Sequence, residues 1–165
     1  MKESLKIICD KIEEHYKGAV LSAEELYGFD VITVQHEHIH PILCLLKEDE
    51  ATNFHFLTDL TGMQTADEKQ LGVIYHLHNL YKNQRVRIKT FFDINKPDVP
   101  TVTDLWPSSN WMERETFDFF GVKFKGHPNL KRILNVDEMD IFPLRKEYPL
   151  EDQTREDKSD KMFGR

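Results

Sequence analysis

Thiols are scarce in this chain. Cys9 and Cys44 are the only two among 165 residues. An iron–sulfur cluster takes about four thiolates, or two with two histidines, so the chain by itself is expected to hold none. Two isolated cysteines read as reduced core residues of a cytosolic protein. An excess of basic charge is also missing: 22 Lys and Arg stand against 29 Asp and Glu, a net charge of −7. A general nucleic-acid binder needs a basic surface, so that class is excluded, although a local basic contact is not. No run of about 18 apolar residues is present, which excludes a membrane-spanning helix. The opening MKESLKII lacks the basic and apolar regions of a secretory signal and the Arg/Ser bias of a transit peptide. A cytosolic, bacterial protein is expected. The apolar share is low at 39% and the charged share high at 31%. This length suits one domain with a true core, and the composition adds an appendage that has none.

What is present begins with an amphipathic helix. Ser4 is placed to cap it, Leu5, Ile8, Ile12 and Tyr16 share a face to about Lys17, and Gly18 is a natural stop. Phe29 to Val34 is rich in β-formers and reads as a strand. His36, His38 and His40 would share a face if the strand continued and could then ligate zinc. A polar turn entering a helix fits better, with Pro41 at its first position and Ile42, Leu45 and Leu46 at helical spacing. Phe54 to Leu60 suggests a strand ending in a turn at Thr61-Gly62, followed by a loop over 64–70. Gly72 to Leu80 and Arg85 to Phe92 form a hairpin about a turn at 81–84. Its second arm points Val86, Ile88 and Thr90 inward and Arg87 and Lys89 outward. His76 and His78 share a half-exposed face of the first arm. Two prolines in residues 93–100 end the sheet pattern. Helix, strand, helix and then several strands predict an α+β domain, with an antiparallel or mixed sheet and helices packed on it.

The densest stretch runs from Trp106 to Pro149. Trp106, Trp111, Phe117, Phe119, Phe120 and Phe124 are set among charges of both signs. Aromatics favour burial, and charges beside them need partners. Thr101 with Asp104, and Asn110 with Glu113, have the spacing of capping boxes. A helix is predicted over 111–120, stopped by Gly121, with Arg114 and Asp118 as i,i+4 neighbours. Glu113 and Glu115 point in different directions on it, and Arg114 disfavours a raised carboxyl pKa. The group therefore reads as a structural ion-pair network, completed by Arg132 or by a partner's arginine, and not as an acid/base pair. Gly121 to Gly126 has the glycine spacing of a phosphate loop, but His127 and Pro128 stand where lysine and a hydroxyl are required. Val122 and Phe124 suggest a short strand, and Gly126 to Asn129 a turn. From Asp137 onward periodicity is lost. The final stretch alternates charges with little to bury, which predicts an extended arm that orders on a partner. Three regions follow: an α+β domain over 1–106, a docking segment over 107–136 and an extended C-terminal arm over 137–165.

The run Trp111-Met-Glu-Arg-Glu-Thr-Phe-Asp-Phe-Phe-Gly121, then Phe124, Gly126-His127-Pro128, Leu130, Arg132-Ile133-Leu134 and Pro143-Leu144-Arg145-Lys146, resembles the signature of the NADH-quinone oxidoreductase C-subunit family, the 30 kDa subunit of respiratory complex I. Phe56 to Gly62, Val73 to Leu77 and Val99 to Pro107 are similar to the same family in the same order. The resemblance spans roughly residues 20–150. Two features depart from the pattern: Ile141-Phe142 precede Pro143, and Glu147 replaces an aspartate.

The resemblance implies a hydrophilic subunit of the complex's peripheral arm. That complex passes electrons from NADH through flavin and iron–sulfur clusters to quinone and translocates protons. It implies that this chain has no catalytic, cofactor-binding or metal residues, and that FMN and the clusters lie in partner subunits. The expected partners are other peripheral-arm subunits, chiefly the hydrogenase-like quinone-site subunit and the terminal-cluster subunit, at the cytoplasmic face of the bacterial inner membrane. Candidate interface residues are Glu113, Arg114, Glu115, Asp118, Gly126, His127, Pro128, Arg132, Pro143, Leu144, Arg145 and Lys146. The alternative is the equivalent subunit of a related ion-pumping membrane-bound hydrogenase or ferredoxin-driven quinone reductase.

Overall fold

The computed structural model describes residues 3–148. Helix α1 (Glu3–His15) is followed by strands β1 (Val20–Leu26) and β2 (Phe29–Val34), and then by helix α2 (Ile39–Glu48). Strands β3 (Phe56–Gln64), β4 (Gln70–Asn79) and β5 (Gln84–Asp93) come next. The short strand β6 (Asp98–Pro100), helix α3 (Ser109–Phe120) and strand β7 (Lys123–Lys125) complete the regular elements among the described residues, apart from a single 3-10 turn at His36–His38. The main sheet has five strands in the order β1-β2-β5-β4-β3, antiparallel except where β2 runs parallel to β5. The fold is therefore α+β with a mixed sheet.

Alternation along each strand sends one set of side chains to the core. Leu57 pairs with Leu77 and Leu77 with Val86; Leu60 pairs with Tyr75, and Tyr75 with Ile88. All of these are buried together with Leu5, Ile8 and Ile12 of α1 and Ile39, Ile42, Leu43 and Leu46 of α2. The helices thus cover one face of the sheet. Helix α3 joins them on that face at Gly62, where an added Cβ would lie 2.6 Å from Phe120 Cδ2 and 2.9 Å from Thr116 Cγ2.

Several local expectations are corrected. Thr61-Gly62 is not a turn but the middle of β3; the chain reverses at 65–69, where Thr65 N–H donates to Gln70 O. Gly62 is there for the close approach of α3, which a glycine signal alone does not separate from a turn. The strand β1, not foreseen in its polar sequence, is a sheet edge tied to β2 by the turn at Tyr27 and Gly28, both of positive φ (52° and 81°). Ser4 does not cap α1: its Oγ donates to Asp30 Oδ2 at 2.8 Å. Pro41 lies within the first turn of a helix that begins at Ile39, two residues earlier than expected. His78 is buried rather than half-exposed.

Candidate functional site

Among the described residues, side-chain hydrogen bonding is concentrated in the region from Thr101 to Tyr148, which is built on α3. The helix starts at Ser109, with no side-chain cap from Ser108. It ends at Gly121, which takes the left-handed conformation (φ 74°) and donates its N–H to Phe117 O. The glycine has a second use. A Cβ there would meet the Phe142 ring at 2.6 Å and Arg145 Nη2 at 2.8 Å, so only glycine lets the returning chain lie across the helix end.

Glu113 is wholly buried (0% exposed). Its carboxylate accepts Thr101 Oγ1–H at 2.6 Å and Val102 N–H at 2.8 Å. It thereby caps the 101–106 turn from a distance. The expected cap, Asp104, instead bonds His40 Nε2 at 2.9 Å. Burial pushes the Glu113 carboxyl above the usual carboxylate range, and its hydrogen bonds oppose but do not cancel that push. This reverses the expectation that Arg114 would disfavour a raised value. Arg114 faces elsewhere, donating to Lys131 O at 3.1 Å and Arg132 O at 2.9 Å.

The anticipated Arg114–Asp118 pair is therefore absent among the described residues, and Asp118 takes the other partner considered, Arg132. Asp118 is also 0% exposed. Its Oδ1 accepts Arg132 Nη1 at 2.8 Å and Asn135 Nδ2 at 3.1 Å. Its Oδ2 accepts the backbone N–H groups of Ile133, Leu134 and Asn135 at 3.1, 2.8 and 2.9 Å. Burial alone would raise this carboxyl. The Asn135 amide, the Arg132 guanidinium and the Leu134 amide outweigh it and hold the pKa far below the carboxylate range. Arg132 also reaches Asp118 O, Met139 O and Ile141 O, so one guanidinium ties α3 to two parts of the returning chain.

The chain then folds back over α3. Phe142 sits edge-on to Phe117 at 6.2 Å, with the Arg132 and Arg145 guanidinium carbons 5.2 and 4.8 Å from its ring centroid. Arg145 Nε donates to Phe120 O at 2.7 Å, and Leu144 N–H to Phe119 O at 3.2 Å. Lys146 N–H donates to Gln64 Oε1 at 2.8 Å, and its Nζ to Thr65 O at 3.0 Å. On the other side of α3, His127 Nε2 lies 3.1 Å from Asn110 O while its Nδ1 accepts Asn129 N–H, which places the ring proton on Nε2. Gly126 takes positive φ (85°) in that turn, and β7 pairs parallel with β6. Glu115, Gly126 and Pro128 are exposed, and Pro143 is half-buried. Residues 137–148 thus lie against the domain without regular structure, and the rest of the expected arm lies outside the described residues.

The candidate charges are mostly consumed within the chain. What they leave outside is apolar: Trp111 is 61% exposed, Leu134 65% and Val136 63%. Sequence reasoning passed over Val136 and treated Trp111 as a side chain seeking burial. The available signal was an aliphatic residue, Val136, set in the polar run 135–140 directly after Leu134. The three histidines of the early cluster do not converge. His36 packs on Phe92, His38 stacks on Tyr16, and His40 bonds Asp104.

A mixed sheet with helices on one face, and a buried carboxylate–guanidinium clamp that holds a surface loop, define a class: an α+β protein whose most developed chemistry shapes its exterior. Residues 32–154 match the family described as respiratory-chain NADH dehydrogenase, 30 kDa subunit. The chain belongs to that family. It is 37% identical over 147 residues to the C-subunit of NADH-quinone oxidoreductase from Citrifermentans bemidjiense, covering 88% of this chain and 90% of that one. It is 38% identical to the corresponding C-subunit of Caulobacter vibrioides, covering 91% and 76% of the two chains. Among solved structures it is similar to a trypsin-resistant fragment of Nqo5 (TM-score 0.65, 28% identity, covering 77% of this chain and 99% of that one). It is also similar to a chain of the archaeal membrane-bound sulfane sulfur reductase (TM-score 0.74, 24% identity, covering 90% and 87%), a likeness of fold alone. No helix among the described residues is long and apolar enough to cross a membrane.

Proposed function

We propose that this chain is a peripheral-arm subunit of an NADH:quinone oxidoreductase, the assembly that couples electron transfer from NADH to quinone with proton translocation, and that its own role is structural. It contributes no catalytic residue, and the FMN and iron–sulfur clusters of the assembly sit in partner subunits. Its neighbours are the hydrogenase-like subunit of the quinone site and the terminal-cluster subunit, at the cytoplasmic face of the bacterial inner membrane. Membership of the 30 kDa subunit family and the shared name of the curated relatives support this reading over a hydrogenase or a ferredoxin-driven reductase.

One observation carries the docking role. The buried Asp118–Arg132 pair spends six hydrogen bonds on fixing residues 133–135 and the turn at 139–141, and the loop so held exposes Leu134 and Val136. Pre-ordering an apolar contact lowers the entropy lost on association. Replacing both Leu134 and Val136 by Asp tests it. The side chains are solvent-exposed, so the variant is expected to melt within a degree or two of the unmodified chain. The amount of chain that co-purifies with the membrane assembly should fall about tenfold or more, as for the loss of an interface hot spot. Unchanged recovery of the full assembly would remove this loop from the interface.

A further inference from the structure

The sheet has a second face, and no helix among the described residues lies on it. Register places one row of side chains across it: Glu24 beside Val31, Val31 beside Arg87, Arg87 beside His76, and His76 beside Asp59. Alternation puts Arg85 and Lys89 on the same face of β5 as Arg87. Three cations therefore stand in line at about 6.6–7 Å intervals along the middle strand of the sheet. Several other cations of the domain are engaged: Lys11 with Asp49, Lys125 with Asp98, Arg132 with Asp118, and Arg114 and Lys82 with backbone carbonyls. Among the described residues no carboxylate bonds Arg85, Arg87 or Lys89. Glu24 and Asp59 are each two strand spacings from Arg87, about 10 Å between backbones, and neither bonds it.

Arg87 is the centre of this line. Its guanidinium carbon lies 4.0 Å from the centroid of the Phe29 ring, a contact that fixes the group in place. Its Nε is shielded from solvent and has no hydrogen-bond acceptor. A half-buried guanidinium held by an aromatic ring, with a donor unused, is an incomplete ion-pair site, because such donors are costly to leave unpaired. A small cavity of ≈ 110 Å³ lies beside it, lined by Phe29, His76 and Arg85 among others. Burial first, and then the charge of Arg87, push the His76 ring below its ordinary pKa; Asp59 opposes that push and Lys89 adds to it.

We infer that the open sheet face is a second docking surface, centred on Arg85, Arg87 and Lys89, and that it receives an acidic segment of another protein in the assembly, with a partner carboxylate pairing Arg87. Protein is favoured over nucleic acid or an anionic bilayer. The cationic line is a single strand wide, carboxylates flank it on the edge strands, and the chain as a whole carries −7, which repels polyanions. The chain's own residues 149–165 are a poor match for it. With five acids and four bases they are nearly neutral. The inference rests on the reading that this chain works within an assembly.

The test uses the native membrane assembly treated with a carbodiimide, which joins a lysine amine to a carboxyl in direct contact, with loss of water. Peptide mass spectrometry is expected to find Lys89 joined to an Asp or Glu of a different subunit. A link to residues 151–160 of the same chain, to a second copy of this chain, or no link while Lys89 still reacts freely with an amine reagent would each overturn the inference. In parallel, Arg87→Glu with Lys89→Glu should lower recovery of the assembled complex about tenfold or more, with the melting of the lone chain retained. Undiminished recovery of that variant overturns this face alone. Should the variant fail to fold, the cross-linking result on the unmodified assembly decides. Absence of the unmodified chain from the assembly would instead overturn the proposed function.

Discussion

Glu113 and Asp118 stand five residues apart on one helix, both without solvent exposure, yet their acidities are moved in opposite directions. Asp118 has a guanidinium and three backbone amides on its oxygens. Glu113 has one hydroxyl and one amide and no bonded cation. For Glu113 the folded pKa lies above the unfolded value of about 4.3. The native state therefore binds more proton across that window, and stability falls as pH rises from about 4.3 through the folded pKa. Glu113→Gln keeps an acceptor for Val102 N–H and removes the titration. Chemical denaturation at a series of pH values should find a flatter stability profile above pH 4 in this variant than in the unmodified chain. Glu113→Ala leaves Val102 N–H unpaired and should cost about 1–3 kcal/mol. Asp118 behaves oppositely. Its contribution is complete above the ordinary carboxylate pKa of about 3.9 and is lost progressively as pH falls from there to its much lower folded value. Asp118→Asn turns an amide group toward the donors that now converge on a carboxylate, and strands Arg132, whose side chain is 8% exposed. A loss of about 3–5 kcal/mol is expected, together with faster hydrogen exchange at the amides of residues 133–135.

At the scale of elements, the contact that matters most is α3 against β3. Gly62 leaves room for Thr116 and Phe120 with no gap to spare. Gly62→Ala must displace the Phe120 ring or the helix, at a cost of about 1–3 kcal/mol. Thermal melting of the lone chain reads that cost directly, and a variant as stable as the original would mean that the helix is not seated as described. The same contact explains what could and could not be read beforehand. The β4–β5 hairpin was legible because Val86, Ile88 and Thr90 alternate with Arg87 and Lys89, and alternation is a local signal. Helix α3 was legible from its aromatic and charged run and from Gly121 at its end. The role of Gly62 was not, because turn glycines and close-approach glycines look alike until the neighbour is known. Arg132 apart, the partners of Glu113 and Asp118 were illegible for a related reason. They lie 11 to 17 residues away, in segments without periodicity, where only the folded chain brings donors and acceptors together.

For the whole molecule, the returning segment 137–148 is the part in which internal fold and docking role meet. Its own apolar content is small, which is why the sequence read as an arm with no core. The structure supplies the missing surface from the domain. Phe142 lies over Gly121, Arg145 caps the carbonyl of Phe120, and Lys146 bonds Gln64 and Thr65 at the end of β3. If these contacts hold without partners, the segment belongs to the domain's cooperative unit and not to a tail that orders on binding. Comparing a chain ended after Val136 with one ended after Tyr148 separates the two cases. Net hydrogen-bond contributions of about 1 kcal/mol each, for the bonds of Leu144, Arg145 and Lys146, give an expected difference of about 2–4 kcal/mol in favour of the longer chain, measured by urea denaturation. The longer chain should also show a larger denaturant slope, because more surface is then exposed on unfolding. Equal stability and equal slope would mean that residues 137–148 leave the helix when the chain is alone. The apolar loop at Leu134 and Val136 would then lose its brace from Arg132 to Met139 and Ile141 until a partner restored it.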